Sequence, residues 1–260
     1  MSSLLLALCL FLMIKCTRAQ DTQSDLTITV VNNCPYTIWP AIQPNSGHLI
    51  LQRGGFALPA LTHHSFPAPP HPWSGRMWAR TNCAATPTGG FACATGDCHT
   101  NSTDCNGSSG STPATLAQLN LRGGASLDAC DYGVSLVDGY NAAMTVSAHE
   151  GRGACPVVGC GADLLATCPE RLRVWDRQGE DVVACKSGCQ AYGTDELCCR
   201  NEYGSVRRCR ASGCSEFFKQ ACPATYTYAQ DKSWPTPECY APRELKQQNI
   251  PCCAQTGQKD

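Results

Sequence analysis

Charge is scarce in this sequence: 16% of its 260 residues are Asp, Glu, Lys or Arg, and the two signs nearly cancel, at a formal net of −1. No basic run could track phosphates, so nothing points to a nucleic-acid partner. No apolar stretch reaches the length of a bilayer-spanning helix, so no transmembrane segment is expected. The Gly-x-Ser-x-Gly elbow, the His-Glu-x-x-His pair and the Gly-rich phosphate loop are all missing, which removes three common catalytic schemes. There is no CxxC pair, the histidines are not grouped with cysteines, and His149-Glu150 lacks a second histidine. No metal and no cofactor is therefore expected. His63-His64 and His71 fall in a proline-rich stretch and read as solvated loop residues. Aromatic residues make up 7% and are scattered through loops.

What the chain has in excess is cysteine, 21 in all. The N-terminus explains the compartment. Leu4 to Ile14 is an apolar run of signal-peptide length, and Thr17-Arg18-Ala19 supplies small residues for cleavage before Gln20. Residues 1–19 thus read as a signal peptide, and the mature chain, 20–260, as secreted and soluble. Loss of Cys9 and Cys16 leaves 19 cysteines, an odd number, so at least one thiol is left over or pairs between chains. So many cysteines in a secreted chain form a structural disulfide frame.

Alternation at period two predicts many short strands. Leu26, Ile28 and Val30 share one face of the first, and Tyr36-Thr37-Ile38-Trp39 is the next. Pro40 and Pro44 demote the residues after Trp39 to edge or loop. Trp73 to Cys83, Pro113 to Leu121, and Val134 to Asn141 continue the pattern. Asp138-Gly139 is expected to be a hairpin turn within the last of these, with Ala143 to Val146 beyond it. From Cys155 cysteine density rises, and 161–166 and 215–221 read as short helices ending at or near Cys-Pro. The fold class is mainly β: a sandwich core over about 26–154 plus a C-terminal strand, with a disulfide-rich subdomain of loops and short helices over about 155–239. Two Asn-x-Ser/Thr sequons, at Asn101 and Asn106, lie in a Gly/Ser/Thr-rich loop and are candidate glycosylation sites.

The stretch Gly89-Gly90-Phe91-Ala92-Cys93-Ala94-Thr95-Gly96-Asp97-Cys98, closing at Cys105, has little to bury and must be stapled to hold a shape. It resembles the signature of the thaumatin-like proteins, the group-five pathogenesis-related family of plants. Asn101 departs from the pattern, where the family carries Gly or Gln. Asn33-Cys34-Pro35-Tyr36-Thr37-Ile38-Trp39-Pro40 and Trp73-Ser74-Gly75-Arg76 resemble the family too, and the likeness runs from about Leu26 to Cys253. It implies a thaumatin-like β-sandwich with eight disulfides. By motif these are Cys83–Cys93, Cys98–Cys105, Cys155–Cys239, Cys160–Cys222, Cys168–Cys185, Cys189–Cys198 and Cys199–Cys209. The eighth joins Cys34 to Cys252 or Cys253. Cys130, Cys214 and one of Cys252 and Cys253 stand outside this set, and whether Cys130 and Cys214 form a ninth bridge is left open by the sequence.

The resemblance also implies a cleft between sandwich and subdomain, lined in the family by one Arg, one Glu and three Asp. Here the positions are Arg76, Gln118, Gly133, Asp138 and Asp231, with Asp131 two residues before the glycine. Glycoside hydrolysis ordinarily needs two carboxyl groups, and Gln118 can serve as neither. Asp138 and Asp231 remain as the candidate catalytic pair. Taken without the family, Asp138 is a turn residue, Arg76 stacks on Trp73 or Trp78, and Asp231, between Gln230 and Lys232, is solvated. The expectation is an extracellular (apoplastic), monomeric, antifungal defence protein binding fungal β-1,3-glucan or a similar cell-wall polysaccharide through Arg76, Gln118, Asp138 and Asp231. The alternatives are a weak endo-β-1,3-glucanase and a protein-binding enzyme inhibitor.

Overall fold

A computed structural model of the chain describes residues 26–70, 72–122, 129–232 and 237–249. Residues 1–19, expected to be a signal peptide, His71 and the partner expected for Cys34 lie outside them. Two sheets face each other. One has the order β10 (Val158–Cys160), β8 (Met144–His149), β14 (Glu244–Asn249), β1 (Thr27–Asn32) and β3 (His63–Pro67). The other runs β2 (Trp39–Pro44), β4 (Trp73–Ala85), β6 (Leu116–Leu121), β7 (Ala129–Ser135), β13 (Glu238–Tyr240) and β9 (Arg152–Gly153), with β5 (Phe91–Thr95) paired to β4. The first and last strands, β1 and β14, are neighbours and run parallel, with Thr27 beside Glu244 and Asn32 beside Asn249.

Alternation explains the sandwich. Ile28 and Val30 of β1, Phe66 of β3 and Leu245 of β14 point inward and meet Met77, Leu119 and Val134 from the second sheet. Burying these side chains is the main apolar contribution to folding, at about 1.5–3 kcal/mol each. The odd-numbered residues of β7 face away from this core and form part of the floor of a cleft.

Several expectations shift. Pro40 and Pro44 lie inside β2, not after it. The strand tolerates them because it is an edge of the sheet and pairs only with β4 among the named strands. His63 and His64 belong to β3, paired with β1. The His64 ring is hydrogen-bonded to the Gln52 side chain at 3.1 Å and packs on Phe56. Asp138-Gly139 does form a turn, closed by the Gly139 N–H donating to Leu136 O at 3.0 Å. It closes no hairpin, because β7 and β8 belong to different sheets. β10, inside the range expected for the subdomain, is a strand of the sandwich.

The region beyond β10 is held by disulfides and a small core of its own. It holds α1 (Leu164–Thr167), α2 (Gly188–Tyr192), α3 (Asp195–Cys198), α4 (Gly213–Ala221) and a small hairpin of β11 (Arg173–Trp175) and β12 (Val182–Cys185). Asp163, Ser187, Thr194 and Ser212 cap the four helices, with reciprocal capping boxes at Ser187–Gln190 and Ser212–Ser215. A small separate core around Leu136, Tyr140, Leu164 and Phe218 lies beneath them.

Among the described residues seven pairs of sulfurs are bonded: Cys83–Cys93, Cys98–Cys105, Cys155–Cys239, Cys160–Cys222, Cys168–Cys185, Cys189–Cys198 and Cys199–Cys209. Cys34 is also disulfide-bonded. Cys130 and Cys214 are both free thiols, so the ninth bridge left open by the sequence is not formed. The reason is position. Cys130 is on β7 in the sandwich core, opposite Cys239, whereas Cys214 opens α4 and packs beside Gly188 of the subdomain.

Besides the Cys83–Cys93 and Cys98–Cys105 bridges, one carboxylate shapes the signature stretch. Asp97 Oδ2 accepts from Cys93 N at 2.6 Å, and Oδ1 accepts from His99 N at 2.7 Å. Gly96 sits at φ 68°, and a Cβ there would meet the Trp78 ring at 2.8 Å. The Trp78 indole N–H in turn donates to Gly96 O at 2.8 Å.

Candidate functional site

The outer face of the second sheet is a floor of polar rows. Cross-strand register aligns Gln43, Arg76, Gln118 and Gly133 in one row across β2, β4, β6 and β7. The next row holds Ser74, Asn120 and Asp131. Period-two alternation makes this possible, since Met77, Leu119 and Tyr132 between them point into the core. Residues 222–231 rise opposite the floor, tied at the base by Cys160–Cys222. The space between is a cleft of about 770 Å3, a size suited to a small ligand or a few sugar units.

Arg76, Gln118, Asp138 and Asp231 all line this one cleft, together with Asp131 and Gly133. Their chemistry differs. Arg76 makes no ion pair and no ring contact among the described residues, so its guanidinium is available to a ligand. Gln118 is exposed on the floor and offers both a donor and an acceptor. Asp138 is half-buried. Its side chain has no cation partner among the described residues, while its carbonyl accepts from Ala114 N and Gln190 Nε2 at 3.0 Å each.

Asp231 is not the solvated residue that its neighbours suggest. Its side chain has 0% exposure and pairs with Lys219 Nζ at 2.7 Å. The same oxygen accepts from Thr227 N at 3.0 Å and Thr227 Oγ1 at 3.2 Å. A carboxylate so engaged and sealed from solvent cannot attack a sugar carbon. Asp131, not singled out as a site residue by sequence, also lines the cleft, bridged to Arg122 and to Asn120 Nδ2 at 3.0 Å. Hydrogen bonding to Asp131 raises the pKa of Arg122 above its ordinary value and keeps it charged. Two of the three lining aspartates are therefore neutralised by cations. The cleft is polar rather than strongly acidic.

Sequence reasoning also missed the wall. Tyr226 and Tyr228 line the cleft from the loop above α4. Lys219, which anchors that loop, also donates to the carbonyls of Thr225 and Pro223, the latter at 3.5 Å. Alternation along β4, β6 and β7, extended from Arg76 and Gln118, is the signal that could have found Ser74, Asn120 and Asp131. Asn101 and Asn106 are both exposed, away from the lining.

The comparisons agree with this architecture. A family model described as the Thaumatin family matches residues 32–254. An osmotin-like protein of Solanum lycopersicum is 56% identical over 229 residues, covering 88% of this chain and 90% of that one. A Prunus avium protein named glucan endo-1,3-beta-glucosidase is 40% identical over 215 residues, covering 82% of this chain and 85% of its own. Among solved structures, a laminaripentaose-producing β-1,3-glucanase in complex with laminaritetraose superposes with a TM-score of 0.52 over 86% of this chain and 98% of that one. At 13% identity it shows a likeness of fold alone. The chain belongs to the thaumatin family.

Proposed function

We propose that this protein is a secreted plant defence protein that holds β-1,3-glucan, or a closely similar cell-wall polysaccharide, in the cleft and does not cleave it. The observation that carries the reading is the contrast within the lining. Arg76, Gln118 and Asp138 present hydrogen-bonding groups without ion-pair partners among the described residues, whereas the Asp231 carboxylate is sealed behind Lys219 and Thr227. Sugar hydroxyls need donors and acceptors of this kind, with apolar ring faces for stacking, and Tyr226 and Tyr228 supply those. The glucanase name of the Prunus avium relative supports β-1,3-glucan as the ligand class.

Secretion through residues 1–19 to the apoplast, glycans at Asn101 or Asn106, and action as a monomer belong to the same proposal. The exposure of both asparagines suits glycan attachment. The test is sedimentation with insoluble β-1,3-glucan at low salt, alongside an assay for released reducing ends. Retention that weakens in Arg76→Ala, with no reducing ends released, supports the reading. Passage of the wild-type protein into the supernatant contradicts it.

A further inference from the structure

The wall of the cleft is fixed at two points, and the first is the backbone of Tyr226. It joins β7: the N–H donates to Val134 O at 2.9 Å, and the carbonyl accepts from Leu136 N at 2.7 Å. Five residues on, the Lys219–Asp231 pair closes the loop, with Asp231 also holding Thr227. Between these anchors the Tyr226 ring comes down on Gly133. A Cβ at 133 would lie 2.8 Å from Tyr226 Cε2 and 3.6 Å from Cδ2.

Gly133 is not required by the backbone, since its φ lies outside the left-handed region. A glycine inside a paired strand costs stability, and its recurring use is to let another group approach closely. Here that group is an aromatic ring. The ring borders the cleft over Gly133, which shares its row with Gln118 and Arg76. No side chain at 133 can share that space unless the ring moves.

We propose that Tyr226, seated on Gly133, is the platform on which a pyranose ring of the glucan stacks, and that the Lys219–Asp231 pair is the positioning device that holds it there. The proposal rests on the cleft being a glucan site. A sugar ring presents apolar C–H faces and a polar rim. The tyrosine ring takes a face, while Gln118 and Arg76 take rim hydroxyls. Asp231 is thus a positioning residue, not a catalytic one.

The test titrates the mature protein with laminarihexaose by calorimetry, with maltohexaose as the control for linkage. Tyr226→Phe is expected to keep the wild-type affinity. Tyr226→Ala is expected to lose about tenfold. Gly133→Ala keeps the tyrosine but unseats it, and is expected to lose a similar factor. Lys219→Met weakens binding, and Lys219→Arg restores it, which a loss of fold alone would not do. Wild-type affinity in both Tyr226→Ala and Gly133→Ala would overturn this proposal alone. Failure of the wild-type protein to bind laminarihexaose would overturn the glucan reading and this proposal together. Melting temperatures well above the assay temperature for the two cleft variants keep the result decidable even if Lys219→Met does not fold.

Discussion

Gln118 stands directly across from Gly133 in the β6–β7 ladder, and neither position carries a carboxyl group. Hydrolysis of a glycosidic bond ordinarily takes two of them, about 5–9.5 Å apart. Asp231 is sealed and Asp131 is bridged to Arg122, which leaves Asp138 as the lining carboxylate without a cation partner among the described residues. Gln118→Glu adds a second accessible carboxyl group to the floor. It is expected to raise reducing-end release from laminarin above the wild-type level, and Gln118→Glu combined with Asp138→Asn is expected to return it to the blank.

Asp231→Ala removes the partner of Lys219 and leaves the N–H of Thr227 without its acceptor. Breaking a buried pair from one side costs about 3 kcal/mol, the lower end of the usual range, because Lys219 keeps some contact with water. Denaturant unfolding should show this loss. A variant as stable as the wild-type protein would remove the anchoring role from Asp231.

Asp97 holds the signature stretch by accepting from two backbone N–H groups. Asp97→Ala leaves both donors without that acceptor and is expected to cost about 1–3 kcal/mol. Limited proteolysis should then cut first between Cys93 and Cys105 if the loop has loosened. Cleavage elsewhere would assign the motif another role.

The Cys130 thiol is pushed up to about 12, chiefly by burial and then by the charge of Asp131. Burial likewise pushes Tyr132 to about 12. The folded state therefore holds both protons more tightly than the unfolded chain does. The stability they contribute is complete below the ordinary thiol value of 9.0 and is lost as pH rises toward 12. Melting temperature should fall over that window, and less steeply in Cys130→Ala. Iodoacetamide near neutral pH should label the half-buried Cys214 in the native protein and reach Cys130 only after unfolding. Recovery of a Cys130–Cys214 bridged peptide would contradict both thiol assignments.

Much of the sandwich was legible because alternation is local. Ile28 and Val30, or Ala117 and Leu119, announce their faces without reference to any partner strand. What strand pairs with what is not local, and so Asp138-Gly139 read as a hairpin when it carries the chain from one sheet to the other. β11, β12, α2 and α3 are three to five residues long and are held by caps and disulfides, leaving too little periodicity to read. Arg76, Gln118, Asp138 and Asp231 were found through family motifs, and the structure brings all four to one cleft. The engagement of Asp231 by Lys219, the bridging of Asp131 by Arg122, and the seat of Tyr226 on Gly133 join separate elements. No run of neighbouring residues encodes them.

The most direct measurement pairs two readings on one sample of wild-type protein: calorimetric binding of laminarihexaose, and reducing ends released from the same oligomer over a long incubation. Saturable binding with no release above the buffer blank is the expected result. Steady release of reducing ends, abolished by Asp138→Asn, would contradict a cleft that holds its glucan intact.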